Sequence, residues 1–259
     1  MPVRERRWGW ERGTRAWLAF LLLLAVLPAS APAGAEEAKP PPPKPFTLVV
    51  IGDSLADGLW GGLFRVLQRD TTLIVLRRAR NGTGLSRPDR FDWFKALDRI
   101  LEEDTPDGVL IAFGLNDRQD MLDEPRRRIL LRSEEWTRVY SGRVAALIRH
   151  LTGKGIAVYW AGLPVMRDEA VSDDMRHLNE IYRKTAEENG ARFFPLWDVS
   201  ANAEGRFESY FKDDEGMTHR YRADDGIHFT SVGYDRLIKT LLPWLRSDIG
   251  NAAKRQTHG

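Results

Sequence analysis

The chain of 259 residues contains no cysteine, and that absence removes several kinds of protein at once. No disulfide framework can staple it, no thiolate can hold a zinc ion, and no lipid can be attached through a cysteine. Histidine is scarce, five in all, and none belongs to an H-E-x-x-H pair. Neither a phosphate-binding loop nor a dinucleotide fingerprint is present, so no catalytic metal and no cofactor are expected. No apolar run reaches the roughly 20 residues of a membrane-spanning helix. A net basic field is missing as well. The 39 basic and 37 acidic residues become 34 and 35 once the five Arg and two Glu of residues 1–35 are subtracted, which argues against nucleic acid as a partner. The runs Arg77-Arg78 and Arg126-Arg127-Arg128 therefore read as solvated faces.

What is present begins with a leader. Arg4, Arg6, Arg7, Arg12 and Arg15 precede the apolar run Trp17 to Leu27, and Ala33-Gly34-Ala35 offers a small-residue cleavage site. This pattern predicts a signal peptide over residues 1–35 and export to the periplasm or the medium. If it is not cleaved, the same segment would anchor the protein or associate it transiently with a membrane. Arg6-Arg7 lies too far ahead of the apolar run for a twin-arginine signal. Residues 36–45, with Pro40-Pro41-Pro42-Pro43, form an extended linker. A folded domain is expected over 46–247 and a polar tail over 248–259.

Within that domain, short β-rich runs alternate with amphipathic segments. Strands are predicted at Phe46 to Ile51, Thr72 to Leu76, Val109 to Phe113, Ile156 to Ala161 and Arg192 to Leu196. Helices are predicted from Ser54 to about Gln68, over Asp92 to Glu103, Glu134 to Leu151 and Asp174 to Glu188, and from Ser231 to Leu245. Strands that are apolar throughout and alternate with helices imply an α/β fold, a three-layer α/β/α sandwich on a five-stranded parallel sheet. The stretch from Ser200 to Ala223 carries no period and reads as irregular, a substrate lid or a surface excursion.

Three separated tetrapeptides carry the chemistry: Gly52-Asp53-Ser54-Leu55, Gly114-Leu115-Asn116-Asp117 and Asp225-Gly226-Ile227-His228. Ser54 stands where a strand turns into a helix, a place that suits either a nucleophile or a plain helix cap. A serine needs a base, and His228 can serve if Asp225 holds its second ring nitrogen. His219 is a reserve base, and Asp224 an alternative orienting acid. Asn116, just past a strand, has a neutral amide able to donate to an oxyanion. Asp53 reads as a hydrogen-bonding support for its neighbours rather than a base.

The blocks GDSL, a glycine after the second strand, G-x-N-D and D-x-x-H, running in this order through most of the chain from Phe46 to Leu245, resemble the SGNH or GDSL hydrolase superfamily. The D-G-I-H-F-T form of the last block is similar to an exported branch of that superfamily in Gram-negative bacteria. The resemblance implies the flavodoxin-like SGNH fold. It also implies Ser54 as nucleophile, Asp225 and His228 as its relay, and an oxyanion hole from the Ser54 and Gly84 amides with the Asn116 side chain. Gly82 is the alternative to Gly84 in Asn81-Gly82-Thr83-Gly84-Leu85.

The function expected is an exported serine esterase removing O-acetyl or other acyl groups from a small molecule or a cell-envelope glycan. An acyltransferase would use the same acyl-serine, and a non-catalytic glycan-binding protein could retain the scaffold. Arg87 and Arg118, which follow the second and third blocks, are candidates to bind an anionic substrate. Tyr210 and Tyr221, with Phe211, are expected to line the sugar site and to let the Ser200 to Ala223 segment set substrate choice.

Overall fold

The computed structural model describes residues 44–123 and 127–257. The predicted leader and all but the end of the proline-rich linker lie outside the described residues. In chain order the elements are β1 (Phe46–Gly52), α1 (Ser54–Val66), β2 (Leu73–Arg77), α2 (Trp93–Asp104), β3 (Gly108–Ala112), β4 (Met121–Asp123) and β5 (Arg127–Ile129). There follow α3 (Glu134–Thr152), β6 (Ala157–Ala161), α4 (Glu169–Glu188), β7 (Arg192–Phe194), α5 (Leu196–Ser200), β8 (Tyr210–Lys212), β9 (Thr218–Arg220) and α6 (Ser231–Thr257).

The five predicted strands form one sheet in the order β2-β1-β3-β6-β7, and every pairing in it is parallel. Alternation along each strand sends side chains to opposite faces. Val49, Ile51, Val109, Ile111, Val158 and Trp160 enter one core with α2, α3 and α4. Leu48, Val50, Leu110, Ala112, Tyr159 and Ala161 enter a second core, against α1 and α6. The central strands β1, β3 and β6 are therefore mostly apolar because both of their faces are covered, whereas the edge strands β2 and β7 are partly exposed and carry Arg77 and Arg192. From β1 the chain runs outward to β2 and then returns to place β3 on β1's other side, so a crevice opens beyond the carboxyl ends of β1 and β3. Ser54 follows β1, and Asn116 follows β3.

Helix starts are fixed by capping side chains. Asp53, Asp92, Ser133 and Asp168 each accept an amide hydrogen bond at the start of α1, α2, α3 and α4. The Asp168 cap places the start of α4 at Glu169, five residues before the predicted Asp174, and Val171 in this first turn packs against the first core. Helix α6 likewise passes Leu245 and continues through Pro243 to Thr257, so residues 248–257 of the expected tail are helical. Ion pairs of Arg246 with Asp70 and of Arg192 with Asp248 tie this extension down.

The Ser200 to Ala223 segment is also more ordered than expected. It holds the antiparallel β8–β9 hairpin. The rings of Phe211, Tyr221, Phe229 and Tyr234 follow one another at centroid spacings of 5.3, 5.0 and 5.3 Å and join the hairpin's base to the second core.

Helices α1 and α6 approach closely because α1 presents Gly58 and Gly62, one turn apart. A methyl group at Gly58 would lie 1.8 Å from Tyr234 Cζ, and one at Gly62 would lie 2.7 Å from Ile238 Cγ1. Gly58→Ala should therefore destabilise the fold. The gain of about 1 kcal/mol in helix propensity is outweighed by overpacking of about 1–3 kcal/mol, because Tyr234 is packed on Phe229 and has no free space to move into. A thermal melt should show a lowered Tm.

Candidate active site

Ser54, the candidate nucleophile, is presented by a turn that only glycine permits. Gly52 has φ +135°, and a Cβ there would sit 1.9 Å from the Ala112 carbonyl oxygen. Asp53 then caps α1, its Oδ1 accepting the Leu55 amide at 2.9 Å. The capping role that Ser54 could have filled thus belongs to Asp53, and Ser54, half-buried, is the first residue of the helix.

Ser54 Oγ lies 2.7 Å from His228 Nε2, and His228 Nδ1 lies 2.6 Å from Asp225 Oδ2. Asp225 Oδ1 accepts the Ile227 and His228 amides at 2.8 and 2.9 Å, which makes a tight turn of the loop. Burial pushes the Asp225 carboxyl up, but the His228 ring and the two amides together outweigh it and hold the group at about 2. An ionised Asp225 accepts only, so Nδ1 carries the proton and Nε2 is left to accept from the Ser54 hydroxyl. The alternatives are engaged elsewhere. His219 Nε2 meets Asp213 at 2.6 Å within the β8–β9 hairpin, and Asp224 pairs with Arg220.

Asn116 sits in a short 3-10 turn after β3. One of its amide hydrogens goes to Asp53 Oδ2 at 3.2 Å, which also accepts the Gly114 amide at 3.3 Å. The other hydrogen remains for an oxyanion. Between the two candidate glycines, the packing distinguishes Gly84. A Cβ there would lie 2.2 Å from Asp117 Oδ1, whereas Gly82 is exposed with nothing within 4 Å.

Asp117 is itself fully buried. It accepts the Ser86 amide and the Tyr140 hydroxyl, each at 2.6 Å, and Tyr140 and Tyr182 join their hydroxyls at 2.7 Å. From the other side Arg143 Nη1 donates to the Leu85 and Ser86 carbonyls, both at 2.9 Å. The loop carrying Gly84 is therefore held by its amides and its carbonyls at once.

Burial pushes the Asp53 carboxyl up to about 7; the nearby Asp117 charge adds to this, and the Leu55, Gly114 and Asn116 donors oppose it. Burial raises Asp117 as well. Because the folded protein keeps the Asp53 proton that the unfolded chain loses near 3.8, stability falls as pH rises from about 4 through about 7. Asp53→Asn removes that titration. The Tm of the wild type should thus fall more steeply than that of Asp53→Asn between pH of about 5 and about 8, as measured by calorimetry.

A second buried charge supports the catalytic loop, and nothing in the local sequence announces it. Arg222 has no exposed surface. Its guanidinium donates to the Val165 and Ile227 carbonyls at 2.8 and 2.7 Å and to that of His228 at 3.4 Å, and it lies over the rings of Phe207 and Phe229. The Ala223 amide closes the loop on the His228 carbonyl at 2.9 Å. Burial lowers Arg222 to about 10.

The four residues expected to contact substrate fare less well. Arg87 is bound to Asp89 through two hydrogen bonds of 2.8 and 2.6 Å, and Arg118 meets Asp174 at 2.5 Å, so both guanidinium groups already have carboxylates. Tyr221 is only 4% exposed and donates its hydroxyl to the Val199 carbonyl, which makes it a core residue and not a stacking platform. Tyr210, at 53%, is exposed. Among the described residues, no group of three or more His, Cys, Asp or Glu could hold a metal ion.

A family model described as "Protein of unknown function (DUF459)" matches residues 47–244. No curated protein matches the chain. Among solved structures, TesA is 17% identical with a TM-score of 0.53, covering 78% of this chain and 98% of TesA. A GDSL-like lipase from Bacteroides thetaiotaomicron is 15% identical with a TM-score of 0.54, covering 80% of this chain and 93% of the lipase. An alpha/beta hydrolase enzyme from the metagenome of Lake Arreo is 18% identical with a TM-score of 0.51, covering 76% and 94%. The likeness is one of fold, and the fold is that of the GDSL hydrolases.

Arg222→Met tests the buried clamp. An apolar side chain of similar length fills the space between Phe207 and Phe229 without a charge to desolvate, so the Tm should change little. The loss of three carbonyl contacts frees the His228 loop, and kcat for whatever substrate is turned over at Ser54 should drop by about tenfold to a hundredfold with KM nearly constant.

Proposed function

The chain belongs to the family described as proteins of unknown function (DUF459), whose match covers residues 47–244, and on that premise we propose that it is a serine ester hydrolase of the SGNH type. The observation that carries the reading is the unbroken relay from Ser54 Oγ through His228 to Asp225, with contacts of 2.7 and 2.6 Å. Ser54 Oγ attacks the acyl carbon while His228 Nε2 takes its proton. The carbonyl oxygen becomes an oxyanion facing the Ser54 and Gly84 amides and the free Asn116 amide hydrogen. His228 returns the proton to the leaving alcohol, and the Ser54 acyl ester remains. Water attacks that ester through the same base to release the acid. Asp225, ionised at neutral pH, keeps the imidazole in the required tautomer and stabilises its protonated form.

The substrate we propose is an O-acylated, and in particular O-acetylated, glycan of the cell envelope. The support is the leader pattern of residues 1–35, which directs the protein to the compartment where such glycans lie. A chromogenic acetyl ester tests the activity. The wild type should turn it over, and Ser54→Ala should lower the rate by about 10⁴-fold or more with an unchanged Tm. Turnover retained in Ser54→Ala, or none in the wild type, would exclude this chemistry.

A further inference from the structure

A cleft of about 640 Å³ opens between the segment after β6, the first turns of α4 and the loop before β8, lined by Val165, Arg167, Glu169, Asp173, Arg176, Arg206 and Phe207 among others. It abuts the catalytic loop directly. The Arg167 amide donates to the Gly226 carbonyl at 3.1 Å, and Arg167 Nη1 donates to the Asp224 carbonyl at 2.7 Å, so Arg167 grips the residues on either side of Asp225.

The charges in this cleft are not balanced. Asp173 is bound to Arg176 at 2.5 Å. Glu169 lies in the first turn of α4, where the helix N-terminus supplies its positive partner. Arg167 and Arg206 have no carboxylate within ion-pair distance among the described residues. Behind the wall stands Arg222, with no acid bonded to it among the described residues; burial lowers its pKa and the Arg167 charge adds to this, while Tyr221, Tyr234 and the Asp225 charge oppose it. Arg167 and Arg222 lie 5.3 and 4.7 Å from the same ring, that of Phe207. With three guanidinium groups and two carboxylates on the lining, one positive charge is left over, and such a surplus favours an anion in the cleft.

We infer that this cleft is a subsite for an acidic sugar of the glycan, in which Arg167 and Arg206 receive the sugar's carboxylate and Phe207 faces its ring. The inference rests on the hydrolase reading for what is cleaved at Ser54. Three guanidinium groups against two carboxylates leave one net positive charge on the lining, which suits a singly charged carboxylate. A guanidinium can hold such a carboxylate through paired hydrogen bonds, and the half-buried aromatic offers the apolar face that a sugar ring prefers. A polymer lying in the cleft would pass the Asp225 side of the relay, so an acidic residue held here would place a neighbouring acylated sugar toward Ser54.

Calorimetric titration of the wild-type full chain with trigalacturonate, and with maltotriose as a neutral control, separates this from the catalytic reading, because neither sugar carries an ester. Trigalacturonate should bind about tenfold or more tightly than maltotriose, and the difference should shrink on raising salt to about 0.5 M. Arg206 is exposed and its side chain makes no hydrogen bond or ion pair among the described residues, so Arg206→Glu should fold normally and weaken trigalacturonate about tenfold. Equal binding of the two sugars, or trigalacturonate binding undiminished in Arg206→Glu, would overturn the subsite whether or not the protein cleaves acetyl esters. A protein that binds trigalacturonate as expected but leaves the chromogenic ester intact would retain the subsite and lose the hydrolase.

Discussion

The site depends on one carboxylate that takes no part in the proposed chemistry. Asp53 is buried beneath the crevice, and its two oxygens join what the chain supplies separately. One oxygen caps α1 and so fixes where Ser54 starts its helix; the other holds the Gly114 amide and the Asn116 side chain. The proposed nucleophile Ser54 and the proposed oxyanion donor Asn116 are thereby referred to the same group. The cost is a buried acid beside a second one, Asp117, and the upward push on both carboxyls is the electrostatic expression of that cost. Donors aimed at a group in a dry site need no rearrangement when charge develops, which is the condition for effective oxyanion stabilisation.

The opposite side of the crevice is organised by a positive charge. The His228 loop is turned on itself by Asp225 and by the Ala223 amide, but those contacts lie within the loop and do not by themselves fix it to the rest of the fold. Arg222 supplies the restraint by donating to carbonyls on both the loop and the segment after β6. Placing an arginine among Phe207 and Phe229 with backbone carbonyls as its acceptors is expensive, since those oxygens return only part of the lost hydration. The same charge contributes to the positive field of the neighbouring cleft, so the loop restraint and the proposed subsite share one cause.

Much of this was legible along the chain. Short β-rich runs identified all five strands of the parallel sheet, most plainly β1, β3 and β6, where burial on both faces leaves a local signature. Ser54, Asn116, Asp225 and His228 stood out because each lies in a short motif at an element's end. The start of α4 was misplaced because its first turn, Glu169 to Ser172, holds a single large apolar residue, Val171, which is too little to show a helical period. The two small hairpins were missed because strands of three residues, such as Tyr210–Lys212, are too short to show alternation. Tyr221 looked like a platform for sugar because a tyrosine in an unpatterned stretch carries no mark of whether its ring will be covered.

The sequence by itself determined the layered α/β architecture and the residue types available for catalysis, since periodicity and motif spacing are properties of neighbouring residues. Only the tertiary structure decided which of them meet. Ser54 and His228 are separated by 174 positions, and Arg222 and Val165 by 57. Folding likewise assigned Arg87 and Arg118 to carboxylates and, among the described residues, left Arg167 and Arg206 without them. Pairing and burial arise from contacts between distant segments, and the free energy of a charge depends on whichever groups those contacts bring within reach.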